Sequence, residues 1–291
     1  MSFNKIFSSN NKILSFEFFP PKQIEELPTT FEKITELTAF KPNFMTVTYG
    51  AGGGTRTLTR QMVTFIQQQL HFPAVAHLTC VDHTVDDIDL ILDQLKVAGI
   101  SHILALRGDP QGGQGKFRAI PNGFSCARDL VAHIKRRGDF SIAVGGYPEV
   151  HPDATSPEAD IRYLKEKVDA GAELIMTQLF FSASMYFDFV ETARKIGINV
   201  PILPGIIPLT SLAQARRFTS RCSASIPNNL EKNLEKYADN PTEELQYCTD
   251  YFIQLSTELL EHDAPGIHFF TLNKSTQANS IIGTLKKEGL L

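Results

Sequence analysis

Eight short apolar runs rich in β-forming residues, each separated from the next by a stretch with helical spacing, constrain this chain more than any other feature. They cover residues 14–19, 44–48, 74–78, 102–106, 141–147, 174–178, 201–204 and 267–270, and their β-branched and aromatic content reads as strand. Between them, Phe31-Ile34-Leu37, Ile88-Leu92-Leu95, Leu130-Ile134, Leu164-Val168 and Leu212-Ala215-Phe218 recur with the three-to-four-residue step of an amphipathic helix. A strand-helix-strand unit takes about 30 residues, and successive runs keep near that spacing until the last, where more than twice as much chain intervenes. The expected fold is therefore α/β, a (βα)8 TIM barrel with extra helices between the seventh and eighth strands. The extra material falls in 222–263, with one long amphipathic helix over 243–261. The repetitive IPNNLEKNLEKYADNP within it reads as a surface excursion. At 291 residues and 42% hydrophobic, with no Pro/Gly/Ser-rich linker, the chain reads as one catalytic domain over 1–291.

Charge and cysteine usage narrow the function classes. Lys and Arg number 28 against 32 Asp and Glu, a net charge of -4, without the basic excess that phosphate-backbone binding needs, so nucleic acid is not an expected partner. Four widely spaced cysteines form no CxxC pair, which fits a reducing cytoplasm better than a disulfide framework. The first residues, MSFNKIFSSNNKI, lack a signal peptide's apolar stretch, and no 18-residue apolar run occurs, so neither secretion nor a membrane span is expected. The eight histidines show no HxxxH or HExxH pattern, and no metal site is expected.

In such a barrel, chemistry gathers where the strands end and the βα loops begin. At those ends stand Glu17, Thr48-Tyr49-Gly50, His77, Arg107-Gly108-Asp109, Tyr147 with Glu149 and His151, Gln178, and Asn273-Lys274. Alternation turns Glu17 away from Phe16 and Phe18 and into the barrel. Apolar surroundings there would disfavour the charged form, which suits a general acid; a solvent-facing glutamate, or one paired with a lysine, is the alternative. The run TVTYGAGGGTR carries glycines that allow backbone to approach a ring or phosphate, or simply a loose connection. Arg107 and Asp109 read either as a local ion pair or as an anion contact beside a carboxylate facing the reacting groups. Ser156 followed by Pro157 starts a helix on which Asp160, Leu164 and Lys167 share a stripe, by itself a solvated salt-bridge face. Gln178 offers an amide to a heterocycle edge. Gln214 and Phe218 share a helix face, with core packing the alternative for Phe218.

Together, SFEFFPP, TVTYGAGGGTR, AHLTC, LALRGD, GGYPEVHP, LKEKVDAGAELIMTQLFF, ILPGIIPL and HFFTLN resemble the bacterial-type methylenetetrahydrofolate reductases, in family order from about residue 14 to 284. The resemblance implies an FAD-binding barrel that reduces 5,10-methylenetetrahydrofolate to 5-methyltetrahydrofolate by ping-pong use of NADH or NADPH. Glu17 would be the general acid and Asp109 a charge beside flavin and pterin. FAD would meet Thr48, Tyr49, Ala51, His77, Arg107, Gly108, Asp109, Ala127, Tyr147, His151, Asp160 and Lys167, the last two on a ribose hydroxyl and the diphosphate. Gln178, Gln214, Phe218 and Lys274 would line the substrate site. Tyr163 and Glu166 stand where well-known bacterial members carry Asn and Arg, and Phe270 and Lys274 where Tyr and Arg are common. The resemblance further implies a homo-oligomer, no C-terminal regulatory domain and no inhibition by S-adenosylmethionine. Two other classes fit less well: a Schiff-base lyase, for which no strand interior offers a lysine, and a non-catalytic folate- or nucleotide-binding barrel, which would lack Glu17 and Asp109.

Overall fold

The structure, a computed structural model, describes residues 2–8, 11–49, 56–109, 117–220, 222 and 224–291. From the N-terminus run α1 (Phe3–Ile6), β1 (Ile13–Phe18), α2 (Leu27–Leu37), β2 (Phe44–Val47), α3 (Arg56–Thr64), β3 (Ala74–Thr79), α4 (Val85–Val97), β4 (His102–Leu106), α5 (Ala127–Arg137) and β5 (Ser141–Gly146). They are followed by α6 (Pro157–Asp169), β6 (Leu174–Thr177), α7 (Ala183–Lys195), β7 (Ile202–Leu203), β8 (Gly205–Ile206), α8 (Leu212–Thr219), α9 (Asn228–Lys236), α10 (Pro241–Glu261), β9 (Gly266–Phe270) and α11 (Thr276–Lys287). The named strands pair in parallel, in the order β7-β6-β5-β4-β3-β2-β1-β9-β8.

The two ends of that order, β7 and β8, are consecutive in the chain, so the barrel closes through Pro204. The single seventh strand expected over 201–204 is thus two dipeptides. Proline has no N–H to offer a ladder, and the pairing changes partner there: the Pro204 carbonyl accepts from His268 N at 2.9 Å, while Gly205 N donates to Thr177 Oγ1 at 2.9 Å.

Strand alternation sorts side chains into two cores. Phe16, Phe18, Val47, Ala76, Leu78, Ile103, Val144 and Ile175 face outward against the helices. Ile13, Phe44, Val75, Leu104, Ala143, Leu174 and Leu203 face inward and fill the lower barrel, where Phe3 and Ile6 of α1 close the floor. Phe3 N donates to Ser141 Oγ at 2.8 Å, and its ring meets His102 edge-on at 4.8 Å. With the floor filled by apolar side chains, ligand-sized space lies at the opposite end.

Helix starts follow the expected chemistry. Ser156 Oγ accepts from Ala159 N at 3.2 Å ahead of Pro157, and Thr84 with Asp87 forms a reciprocal cap on α4. The expected insertion holds α9 and α10. The IPNNLEKNLEKYADNP stretch is no mere excursion, because Leu230 and Leu234, four apart, are buried on one face of α9, while Arg216 of α8 bonds Glu231 and Glu235 on the other. Among the described residues, no helix is long and apolar enough to cross a membrane.

Candidate active site

Glu17 sits inside the mouth of the barrel, only 6% exposed. Its surroundings correct the expectation of a purely apolar pocket: the phenylalanines beside it in the chain pack on the outer side of β1, and what faces its carboxyl is two imidazoles. His77 Nε2 of β3 approaches Oε2 to 3.4 Å and His268 Nε2 of β9 approaches the same oxygen to 3.6 Å. Neither nitrogen has a hydrogen-bond partner among the described residues. Burial drives the His77 pKa down to about 4, outweighing the attraction of Glu17, so at neutral pH this contact is an imidazole dipole against a carboxyl group rather than an ion pair. His77, expected against FAD, is therefore also a neighbour of the acid.

A cavity of about 420 Å³ opens above Glu17 and is lined by Thr48, Tyr49, Asp109, Tyr147, Gln178 and Phe218, among others. The Tyr49 hydroxyl bonds His83 Nε2 at 2.9 Å, and His83 Nδ1 reaches the Val81 carbonyl at 2.5 Å. Because that carbonyl can only accept, Nδ1 carries the proton and Nε2 accepts from the phenol, which fixes the ring of Tyr49. Burial pushes the Tyr49 hydroxyl up to about 12, so it remains protonated.

Arg107, Gly108 and Asp109 leave β4 in a turn that only glycine fits. Gly108 has φ +84, and a Cβ there would lie 2.6 Å from Val81 Cγ1 and 2.8 Å from Thr79 Cβ. Arg107 lies 3.9 Å from Asp109, consistent with the local pairing, but its stronger partner is Asp153 at 2.7 Å. Asp109 remains free to face the cavity. The turn after β5 holds Val150 at φ 71, a left-handed conformation that is costly for a β-branched residue and is found where function over-determines geometry. It brings the Tyr147 and His151 rings edge to face at 4.5 Å. Glu149 accepts from Ser225 N at 2.9 Å and ties this turn to the segment after α8.

Leu106, Gly108, Asp109, Gly145 and Tyr147 also line a second cavity, about 760 Å³, so the two form one continuous trough running outward along α5 and α6. Here the solvated salt-bridge stripe is overturned. Lys167 is buried, with Nζ donating to the Gly145 carbonyl at 2.6 Å, and Asp160 accepts from His151 N at 2.9 Å. Both point inward because the face of α6 that carries them packs on the barrel. Desolvation draws the Lys167 pKa down to about 8 despite the pull of Asp160. Ala127 begins α5 at the trough wall, with no side-chain cap on that helix end. Tyr163 lays its ring 5.3 Å from Lys167 Nζ, and Glu166 bonds Arg128 at 2.8 Å.

The remaining candidates divide. Gln178 lines the inner cavity, its Oε1 occupied by Leu179 N at 2.9 Å, leaving the amide NH2 to a ligand. Phe218 is partly buried, packing against the core while it also forms part of the cavity wall. Gln214 is buried, but its Oε1 accepts from Thr210 N at 2.7 Å and Thr210 Oγ1 at 2.9 Å; it braces the loop above α8 and does not line the cavity. Lys274 is exposed and also outside the lining. Phe270 does line it, edge-on to His268 at 5.2 Å. Ala51 lies outside the described residues. Ser15, Thr46, His83, Asp153 and His268 are polar members that sequence reasoning passed over; Ser15 was within reach, two residues before Glu17 on the same strand face.

A closed parallel barrel with a buried carboxyl and a long polar trough at its strand ends defines a TIM-barrel enzyme. The family model for methylenetetrahydrofolate reductase matches residues 2–286, and the chain belongs to that family. It is 37% identical over 272 residues to the 5,10-methylenetetrahydrofolate reductase of Escherichia coli (strain K12), covering 94% of this chain and 90% of that one. It is 40% identical over 288 residues to methylenetetrahydrofolate reductase (NADH) 1 of Arabidopsis thaliana, covering 95% of this chain but 48% of the plant protein; the chain thus spans about half the length of its plant relatives. A structure of an uncharacterized protein from Clostridium thermocellum that binds two copies of 5-methyl-5,6,7,8-tetrahydrofolic acid superposes with a TM-score of 0.66 at 16% identity, over 98% of this chain and 97% of that one. At that identity the likeness speaks to the fold.

Proposed function

We propose that the chain reduces 5,10-methylenetetrahydrofolate to 5-methyltetrahydrofolate, using NADH as electron source and FAD as bound cofactor. The observation that carries the reading is Glu17, a buried carboxyl group at the inner end of a ring-sized cavity, in a chain of this family. NADH is favoured over NADPH by the names of the plant relatives.

The trough fits FAD. Lys167 supplies a buried cation, Arg107 a partly exposed one now paired with Asp153, and the start of α5, where Arg128 N already donates to the Tyr163 hydroxyl, further N–H groups, the donors that a diphosphate requires; Asp160 offers an acceptor for a ribose hydroxyl. Thr48, Tyr49, Gly108, Asp109 and Tyr147 would border the ring system in the inner cavity, with His77 below and His151 toward the trough. FAD, when bound, would supply hydride transfer between the nicotinamide and the folate, and this reading has the two substrates use one place in turn, as ping-pong kinetics requires.

The residues themselves handle protons and charge. Glu17 donates a proton to N10 of the folate; the bond from N10 to the bridging carbon breaks toward N10, leaving a 5-iminium cation able to accept hydride. Asp109 faces that positive charge as a carboxylate. Gln178 presents its NH2 to the heterocycle, Phe218 gives the cavity an apolar wall, and Gln214 sets the loop from which α8 starts. Lys274, exposed and outside the cavity lining, would meet the substrate's glutamate carboxylate only if its long side chain turned inward.

In this reading residues 1–291 form one catalytic domain, a cytoplasmic homo-oligomer supplying methyl groups for methionine synthesis. The test is a visible spectrum of the purified protein, followed by anaerobic NADH and then methylenetetrahydrofolate. Flavin absorbance should bleach with the first and return with the second. A preparation that neither takes up added FAD nor oxidises NADH would refute the proposal.

A further inference from the structure

We propose that Ser15 and His268 are positioning residues for Glu17: they hold an N–H against Oε2, so that Oε1 is the oxygen that carries and delivers the proton. The inference rests on the function proposed above. Ser15 and His268 are direct partners in the β1–β9 register, both inward-facing and both 0% exposed. Ser15 Oγ lies 2.8 Å from His268 Nδ1. Because Nε2 faces a carboxyl oxygen, we place the ring proton there, and the Ser15 hydroxyl, which can donate or accept, then donates to Nδ1.

The ring cannot easily turn away, because Phe44 stacks 6.5 Å from it at 17° and Phe270 meets it edge-on. At 3.6 Å the approach to Oε2 is a contact, not yet a hydrogen bond; such contacts shorten when charge develops on the acceptor. His77 reaches the same oxygen from the other side, which leaves Oε1 without either imidazole. The layer beneath is mostly apolar, with Ile13, Phe44, Val75, Leu104, Ala143 and Leu174 facing inward. A serine-histidine pair buried above it, with one ring nitrogen lacking any other partner, is costly unless that nitrogen meets the acid.

The proton balance is simple. Glu17 Oε1–H gives its proton to N10, the N10–carbon electron pair stays on N10, and the carboxylate left behind is stabilised by the His268 N–H on Oε2. The proton returns from solvent through the cavity, where Tyr49, Asp109, Tyr147 and Cys222 are the other titratable neighbours.

The test compares holoenzyme of the wild type, Ser15→Ala, Ser15→Thr and His268→Phe, measuring the rates of flavin reduction by NADH and of flavin reoxidation by methylenetetrahydrofolate from pH 5 to 9.5. Loss of a hydrogen bond to a charged group predicts that Ser15→Ala and His268→Phe lower the folate-to-NADH rate ratio about tenfold. The alkaline limb of the folate step moves to higher pH, since the carboxylate is then less favoured; Ser15→Thr, which keeps the hydroxyl, restores both. A wild-type ratio and pH profile in Ser15→Ala and His268→Phe would overturn the inference while leaving the reductase reading intact. Equal losses in both half-reactions would mark a merely structural pair and also overturn it. A wild type that never turns over the folate would sink the underlying reading, and the positioning role with it.

Discussion

Raising the pH should weaken FAD binding through one residue, Lys167. Its ammonium is buried against the Gly145 carbonyl, and desolvation brings its pKa down to about 8. A diphosphate beside it favours the charged form and raises that value in the complex. The contribution of Lys167 is therefore complete below pH 8, and it is lost as the pH climbs from the free value toward the bound one. Above pH 8 the charged fraction of the free protein falls tenfold per unit, so affinity at pH 9.5 should be about thirtyfold below that at pH 7, or roughly 2 kcal/mol. His151 lies below its ordinary value because of burial and is neutral across this window, and guanidinium groups do not titrate there. The assay is a fluorescence titration of FAD into apoprotein at each pH, for wild type and Lys167→Met. The variant should bind weakly at pH 7 with a nearly flat profile. A flat wild-type profile from pH 7 to 9.5, or an equal slope in Lys167→Met, would refute the reasoning.

Other perturbations follow from the packing. Phe3→Ala should cost about 3–5 kcal/mol, because the fully buried ring closes the barrel floor; denaturant unfolding would show it, and a loss under 1 kcal/mol would mean that the floor does not depend on α1. Gly108→Ala forces a Cβ into Val81 and Thr79 at a positive φ; a destabilisation of about 1–3 kcal/mol with weakened FAD binding is expected, and an unchanged melting temperature would contradict it. Glu244 of α10 accepts from Leu212 N at 2.8 Å, capping the helix that carries Gln214 and Phe218. Glu244→Ala should cost about 1 kcal/mol and raise the folate KM more than it alters the rate of flavin reduction, which steady-state and stopped-flow kinetics can separate.

The strand-helix alternation was legible because each apolar run had to be buried on both faces of a parallel sheet. The period-two rule correctly turned Glu17 inward, and the Ser156-Pro157 start of α6 was equally visible. Register was not. Which inward side chain meets Glu17 depends on strands more than fifty residues away in the chain, so the sequence offers His77 only as a cofactor contact and gives no role to His268. The Asp160 and Lys167 stripe is ambiguous by pattern alone for a related reason: charge at steps of four and three describes a helix face, and only packing decides whether that face meets water. Pro204 marked a break that a four-residue apolar run concealed, while paired leucines in α9 hid among polar repeats.

The central claim is that Glu17 delivers the proton that opens the folate ring, and Glu17→Gln tests it most directly. An amide of the same shape keeps the cavity filled but has no acidic proton to give. In anaerobic stopped-flow experiments the variant should still reduce its flavin with NADH at near the wild-type rate, while reoxidation by methylenetetrahydrofolate falls below detection. Folate turnover at the wild-type rate in Glu17→Gln would contradict the account and remove Glu17 as the acid.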